Sequence, residues 1–199
     1  MSYHYLVASL PTLTFGARHP FSSPEFFTRC SGVLKTDDMA ILEAVQQGRP
    51  ASGNAFAEAW TAREIQLRNA VARVRGTRLG IDSRGFQREH PGYDVALAQA
   101  VADALAQATP LEREQALDRC RWRLADELAL DDPFGLGVVL AFAVKLRIAE
   151  RWAALTEDSG QQKLDEMIQT MTRAPADAAL GDDPQIRTRS GKATEMSEP

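Results

Sequence analysis

The chain has 199 residues, 44% hydrophobic and 25% charged, with a formal net charge of −4. That length can hold one domain or two small lobes with a real core. The acidic balance weighs against nucleic acid as principal partner, because proteins built to bind phosphate backbones carry a basic excess. The N-terminal "MSYHYLVASLPTLTFG" has no basic leader and no long apolar core, which predicts a cytoplasmic protein rather than an exported one.

The opening segment "YHYLVASLP" is the one place where a strand competes with helix, and Pro11 stops it either way. Residues 12–23 read as loop. Pro24 suits the first turn of a short helix, "PEFFTRC". Thr36 is the predicted cap of the next helix. Asp37 and Asp38 fall in its first turn, and Met39, Leu42 and Val45 form its apolar face. Gly and Pro in "QGRPASGN" end it.

A long helix is predicted from near Asn54 to Gly76 or Gly80. It carries Arg63, Arg68, Arg73, Arg75 and Arg78. At roughly 100° per residue, Trp60, Leu67, Val71 and Val74 share a narrow arc that reads as the buried face. Arginines 63, 68, 73 and 78 recur every five residues. Each is therefore turned roughly 140° from the last, and they do not collect into one basic face. Glu64 stands four residues before Arg68, the favourable order for a helical ion pair. Ile65 and Asn69 lie opposite Trp60, which suggests a helix covered on both sides.

"GIDSRGFQREHPGYD" follows as loop. A helix over about 94–108 places Leu97, Val101 and Leu105 on one stripe. Thr109, Pro110 and Glu112 then form a capping box that opens a helix running to about Leu130. Along it, Leu117, Arg121, Leu124 and Leu128 share a side. Arg121 there calls for an internal carboxylate such as Asp118 or Glu127, and Trp122 marks a meeting with another helix.

"DDPFG" breaks the chain, with Asp132 as predicted cap. The apolar run "FGLGVVLAFAVKL" covers only residues 134–146. That is short of the roughly 20 residues needed to span a bilayer. It reads as a buried core helix from Phe134 to about Leu155. A last short helix is predicted over about 160–172, with Leu164, Ile168 and Met171 on one side, and a disordered tail over 173–199, where large apolar residues are few.

The predicted fold is all-α: a compact domain of about six to seven helices over 1–172, with candidate lobe boundaries near 48–54 or 80–93, and the tail beyond. No catalytic, cofactor or metal signature is present. His4, His19 and His90 are far apart in sequence, and neither CxxC nor HExxH occurs. "GTRLG" and "GLG" lack the residues that complete a phosphate loop. Cys30 and Cys120 read as small buried residues.

Four segments in order carry a resemblance: "YHYLVASLPTL", "REIQLRNAVARVRGTRLG", "PLEREQALDRCRWRLADEL" and "VLAFAVKLRIAERWAAL". Together, over about residues 3–155, they resemble a bacterial family of unknown function encoded in V-type ATPase operons, similar to the helical socket of the ATPase central stalk. The resemblance implies a non-catalytic subunit of a V/A-type ATPase that joins rotor shaft to membrane ring. It would need no cofactor, bind no nucleic acid and meet the membrane only through the complex, at the inner face of the cytoplasmic membrane. The chain is shorter than the full central-stalk socket, so a truncated socket and an accessory or assembly factor both fit. The alternative is a free-standing helical adaptor or regulatory protein. For a partner surface the residues themselves point to Arg63, Arg68, Arg73 and Arg75, with Arg121 and Arg123 second.

Overall fold

The computed structural model describes residues 3–155, 160 and 164–169. Residues up to Leu155 form one compact unit of seven α-helices and a 3₁₀ turn. The helices are α1 (His4–Ser9), α2 (Ser23–Ser31), α3 (Thr36–Gln46), α4 (Ala55–Leu79), α5 (Val95–Leu105), α6 (Pro110–Ala129) and α7 (Leu136–Ala154), with the 3₁₀ turn at Arg84–Phe86 between α4 and α5. Among the described residues there is no strand. In the second unit, residues 164–169 are helical. The rest of the helix predicted over 160–172, Met171 included, and the tail predicted over 173–199 lie outside the described residues.

Local signals set several helix ends. Asn54 and Asp94 cap α4 and α5, accepting from the amides of Ala57 (3.2 Å) and Leu97 (2.9 Å). At α6 the Thr109 amide and hydroxyl both donate to Glu112 at 2.9 Å, and Thr109 Oγ1 accepts from the Glu112 amide at 3.2 Å. Gly80, at φ +67°, ends α4 in a Schellman arrangement. The Ile81 amide donates to Gly76 O (3.0 Å) and the Gly80 amide to Thr77 O (3.4 Å).

One open choice is resolved and two local expectations are corrected. The opening segment, where strand competes with helix in the sequence, is helix. Among the described residues there is no strand for it to pair with, and the Tyr3 amide is held by Phe134 O at 2.6 Å while its hydroxyl donates to Asp38. Thr36 is the first residue of α3 rather than its cap. Lys35 occupies the cap position without a side-chain hydrogen bond, and Asp37 and Asp38 in the first turn supply the negative charge. The cap of α7 is Gly135, not Asp132; the Asp132 carbonyl accepts the Gly135 amide at 3.1 Å.

The hydrophobic interior has two parts. In the first, α7 is central, with ten of its nineteen residues buried, so that it is covered on most sides. Phe26 and Cys30 of α2, Leu42 and Val45 of α3, Phe56 and Trp60 of α4, and Leu124 of α6 pack around Val139, Leu140, Phe142 and Leu146. Phe26 stands 5.0 Å, ring to ring, from Phe142. The second part is smaller. It joins Leu67, Val71 and Val74 of α4, Leu97, Val101 and Leu105 of α5, and Leu117 and Cys120 of α6. Both parts draw on α4 and α6, so neither 48–54 nor 80–93 is a boundary between them.

Two of the charges of α7, Glu150 and Arg147, serve neighbouring helix ends. Glu150 accepts from the amide and hydroxyl of Ser23 (2.5 and 2.6 Å) at the start of α2. Arg147 donates to Gln46 O (3.0 Å) and Val45 O (3.4 Å) at the end of α3. An anion thus sits at a helix N-terminus and a cation at a C-terminus, as the unpaired backbone groups and the dipole favour.

Candidate functional site

The most chemically distinctive region lies where α4, α6 and α7 meet. Its centre is Asp118, which is only 2% exposed. Its carboxylate accepts from Arg121 (3.0 Å), from the Trp152 indole N–H (2.9 Å) and from Arg151. Arg121 also forms a two-pronged pair with Glu64 of α4 (3.0 and 3.1 Å). Glu64 accepts in addition from Arg68 (2.9 Å). Three helices are therefore tied by one chain of charge-assisted hydrogen bonds, the strong kind. Burial alone would push the Arg121 guanidinium down, but Glu64 and Asp118 outweigh it and hold it above its ordinary value. Burial pushes Arg147 down, with Arg121 and Arg68 adding to the effect and Glu64 opposing it.

Two hollows open from this cluster and share Arg68, Glu114 and Arg121. One, of about 520 Å³, is polar and reaches Arg147 and Arg151. The other, of about 410 Å³, runs between α4, α6 and the 81–86 segment over Leu67, Val71 and Leu117. Across the two, five arginines (68, 75, 121, 147, 151) face three carboxylates (Glu64, Glu114, Asp118), an excess of two positive charges.

The far wall of the second hollow is loop, and α4 holds it in place. The buried Gln66 side chain donates to Asp94 O (2.6 Å) and accepts from the Asp94 amide (2.9 Å). Asn69 does the same for Arg88, at 2.7 and 3.0 Å. Each side-chain amide imitates a peptide partner and satisfies a donor and an acceptor together. At the other end, Gly76 leaves room for Ser83: a Cβ at position 76 would lie 2.8 Å from Ser83 Cβ and 3.0 Å from Ile81 O.

The six arginines singled out in the sequence have different placements. Arg63 pairs with Asp94 at 3.4 Å. Arg68 and Arg75 line the apolar hollow, and Arg75 makes only a loose contact with Glu114 at 3.8 Å. Arg73 is exposed, with no carboxylate partner among the described residues. Arg121 is engaged inside, as the internal-partner reading anticipates, by Asp118 and Glu64 rather than Glu127. Arg123 is exposed beside a separate depression of about 690 Å³ between α5 and α6. Sequence reasoning misses Gln66 as a clasp, and it misses the Glu64–Arg121 link. A polar residue amid buried neighbours is the available signal, and it points out only Asn69 and Arg121.

Cys30 and Cys120 are buried and unpaired. Burial pushes the Cys30 thiol up to about 11, which leaves negligible thiolate at neutral pH. Among the described residues, no helix is long and apolar enough to cross a membrane.

Among known proteins, a family described as "Protein of unknown function (DUF2764)" matches residues 94–174. The matched stretch takes in α5, α6 and α7, and with them Asp118, Arg121, Arg147 and Arg151. No curated protein and no solved structure matches the chain.

Proposed function

We propose that this chain is a non-catalytic helical subunit of a V/A-type ATPase, similar to the central-stalk socket, that couples the rotor shaft to the membrane ring. The sequence resemblance suggests the complex. The observation that supports a coupling role is the cross-linking of α4, α6 and α7 through Glu64, Arg121, Asp118, Arg151 and Trp152. A part that transmits torque must resist shear between its helices. Directional, buried ion pairs resist shear better than an apolar seam of equal area, because sliding would strand charges away from water. In this reading the protein sits at the cytoplasmic face of the membrane, attached through its neighbours.

The test is affinity purification of the tagged chain from native membranes in mild detergent. Recovery of rotor-shaft and membrane-ring subunits, together with loss of coupled ion transport but retained ATP hydrolysis on deletion, supports the proposal. Failure to recover any ATPase subunit ends it. The second reading is a free-standing helical adaptor or assembly factor. It is favoured by the apolar hollow beside Arg68 and Arg75, which is formed entirely within this chain. A partner recovered from the soluble fraction, with ATPase coupling intact after deletion, selects it.

A further inference from the structure

The apolar hollow combines features that select a particular kind of occupant. Its floor is aliphatic: Leu67, Val71 and Leu117. Its outer wall carries Ile81 and Phe86, which are 51% and 71% exposed. Large apolar groups left to water around a concavity mark a binding surface more than scattered exposure does. On the α4 side the rim is Arg68 and Arg75, whose side chains are 58% and 66% exposed. They stand seven positions apart, hence on one side of the helix and two turns, or roughly 10 Å, from each other. Ala72 lies between them, so the rim dips where a partner backbone must approach.

Both rim arginines have capacity to spare. Arg75 reaches only Glu114, 3.8 Å away, with both side chains well exposed, and such a pair adds little stability. Arg68 uses its Nε on Glu64, a carboxylate already engaged by Arg121, and more than half of its side chain remains exposed. An incoming carboxylate would find planar, two-pronged donors without displacing a buried bond.

We infer that this hollow is the docking site for an acidic amphipathic helix of a protein partner. Its aliphatic stripe enters over Val71 and Leu117, and carboxylates two turns apart meet Arg68 and Arg75. Charge complementarity and shape both select this occupant. A membrane plane cannot reach the floor of a concave site, and a nucleic-acid backbone would leave the aliphatic floor uncovered. The inference rests on the protein-binding part of the proposed function and not on the ATPase. Peptide binding without recovery of ATPase subunits would keep this site and end that assignment.

The probe is a fluorescein-labelled helical peptide of leucine, alanine and glutamate, its glutamates two turns apart beside a leucine stripe. It is titrated into the full-length chain and read by anisotropy, with methyl chemical shifts of Val71 and Leu117 locating the contact. Binding should weaken at least about tenfold in Arg68→Gln/Arg75→Gln, as expected when two charge-assisted contacts are lost. It should weaken comparably in Ala72→Trp, which fills the dip without altering charge and so covers the case in which the arginine variant fails to fold. A peptide with lysine in place of glutamate should not bind. Equal binding of the two peptides, unchanged binding in both variants, or binding only to phosphatidylglycerol vesicles or duplex DNA would overturn the assignment.

Discussion

The two halves of the compact unit hold themselves together differently. Around α7 the interior is aromatic and branched aliphatic, with Phe26, Leu42, Leu140 and Leu146 fully buried. Each contributes about 1.5–3 kcal/mol by leaving water. Around the second half of α4 the apolar part is small and rich in alanine, and polar groups do the positioning: Gln66 and Asn69 hold the loop, and Glu64, Arg121 and Asp118 hold the helices. Burial by area gives stability with little directional demand. Hydrogen-bonded clasps give placement, and each is costly only when half of it is removed. Clasps occur in both halves, Glu150 on Ser23 and Arg147 on Gln46 among them, but the half that carries the candidate docking site depends on them more, because its apolar part is small.

Substitutions can break or sharpen this contrast. Phe26→Ala should have the largest effect, about 3–5 kcal/mol, because it leaves a cavity among Phe21, Phe142 and Cys30 that neighbouring helices can fill only in part. Chemical denaturation should show a lower midpoint for the whole unit. A loss confined to α1–α3, the start of α4 and α7 would mean that the halves unfold separately, which would strengthen the contrast.

Asp118→Ala comes next. It strands the Trp152 N–H and one arm of Arg121, and removal of one partner from a buried ion-paired cluster costs about 3–5 kcal/mol. Asp118→Asn should recover part of the loss, since it keeps the shape and one acceptor. Equal stabilities for the two variants would show that the lost charge accounts for the whole effect, and that the shape and single acceptor of asparagine do nothing to join α6 to α7.

Asn69→Ala removes a donor and an acceptor at once, leaving the Arg88 amide and carbonyl exposed to water or unpaired. The expected cost is about 1–3 kcal/mol. Faster amide exchange should be concentrated in residues 80–94. If exchange instead rises throughout the unit, the clasp supports the fold and does more than position a loop.

The smallest effect belongs to Glu112. The Thr109 amide and hydroxyl hold its carboxyl below the ordinary value. A folded value lower than the unfolded one adds stability that is present above the unfolded value and is lost as pH falls through the folded one. Glu112→Gln should therefore flatten the acid side of the stability profile, in urea midpoints measured from neutral pH down through the carboxylate range. An unchanged acid slope would mean that the capping box does not stabilise α6.

Legibility in the sequence follows the range of the interactions. The caps at Asn54, Asp94 and Thr109 lie within three residues of the amides they serve, so a short stretch of chain contains both partners. The stripe Leu97–Val101–Leu105 is equally local and is buried as predicted. The arc from Trp60 to Val74 is a true inward face but joins two interiors, with Trp60 in one and Leu67 in the other. Glu64 is legible as the partner of Arg68, four residues away, and not as the partner of Arg121, 57 residues away.

The sequence by itself determined the helical class, most helix ends and the apolar faces, because helix formation and capping are written in neighbours three and four residues apart. Only the tertiary structure decided how the arginines are used. Arg121 and Arg147 are engaged by this chain's own carboxylates and carbonyls, whereas Arg68 and Arg75 stay at an open rim. The spacing along α4 fixes the direction in which each arginine points. What it meets there depends on α6, α7 and the 80–94 loop, which reach α4 from distant parts of the chain.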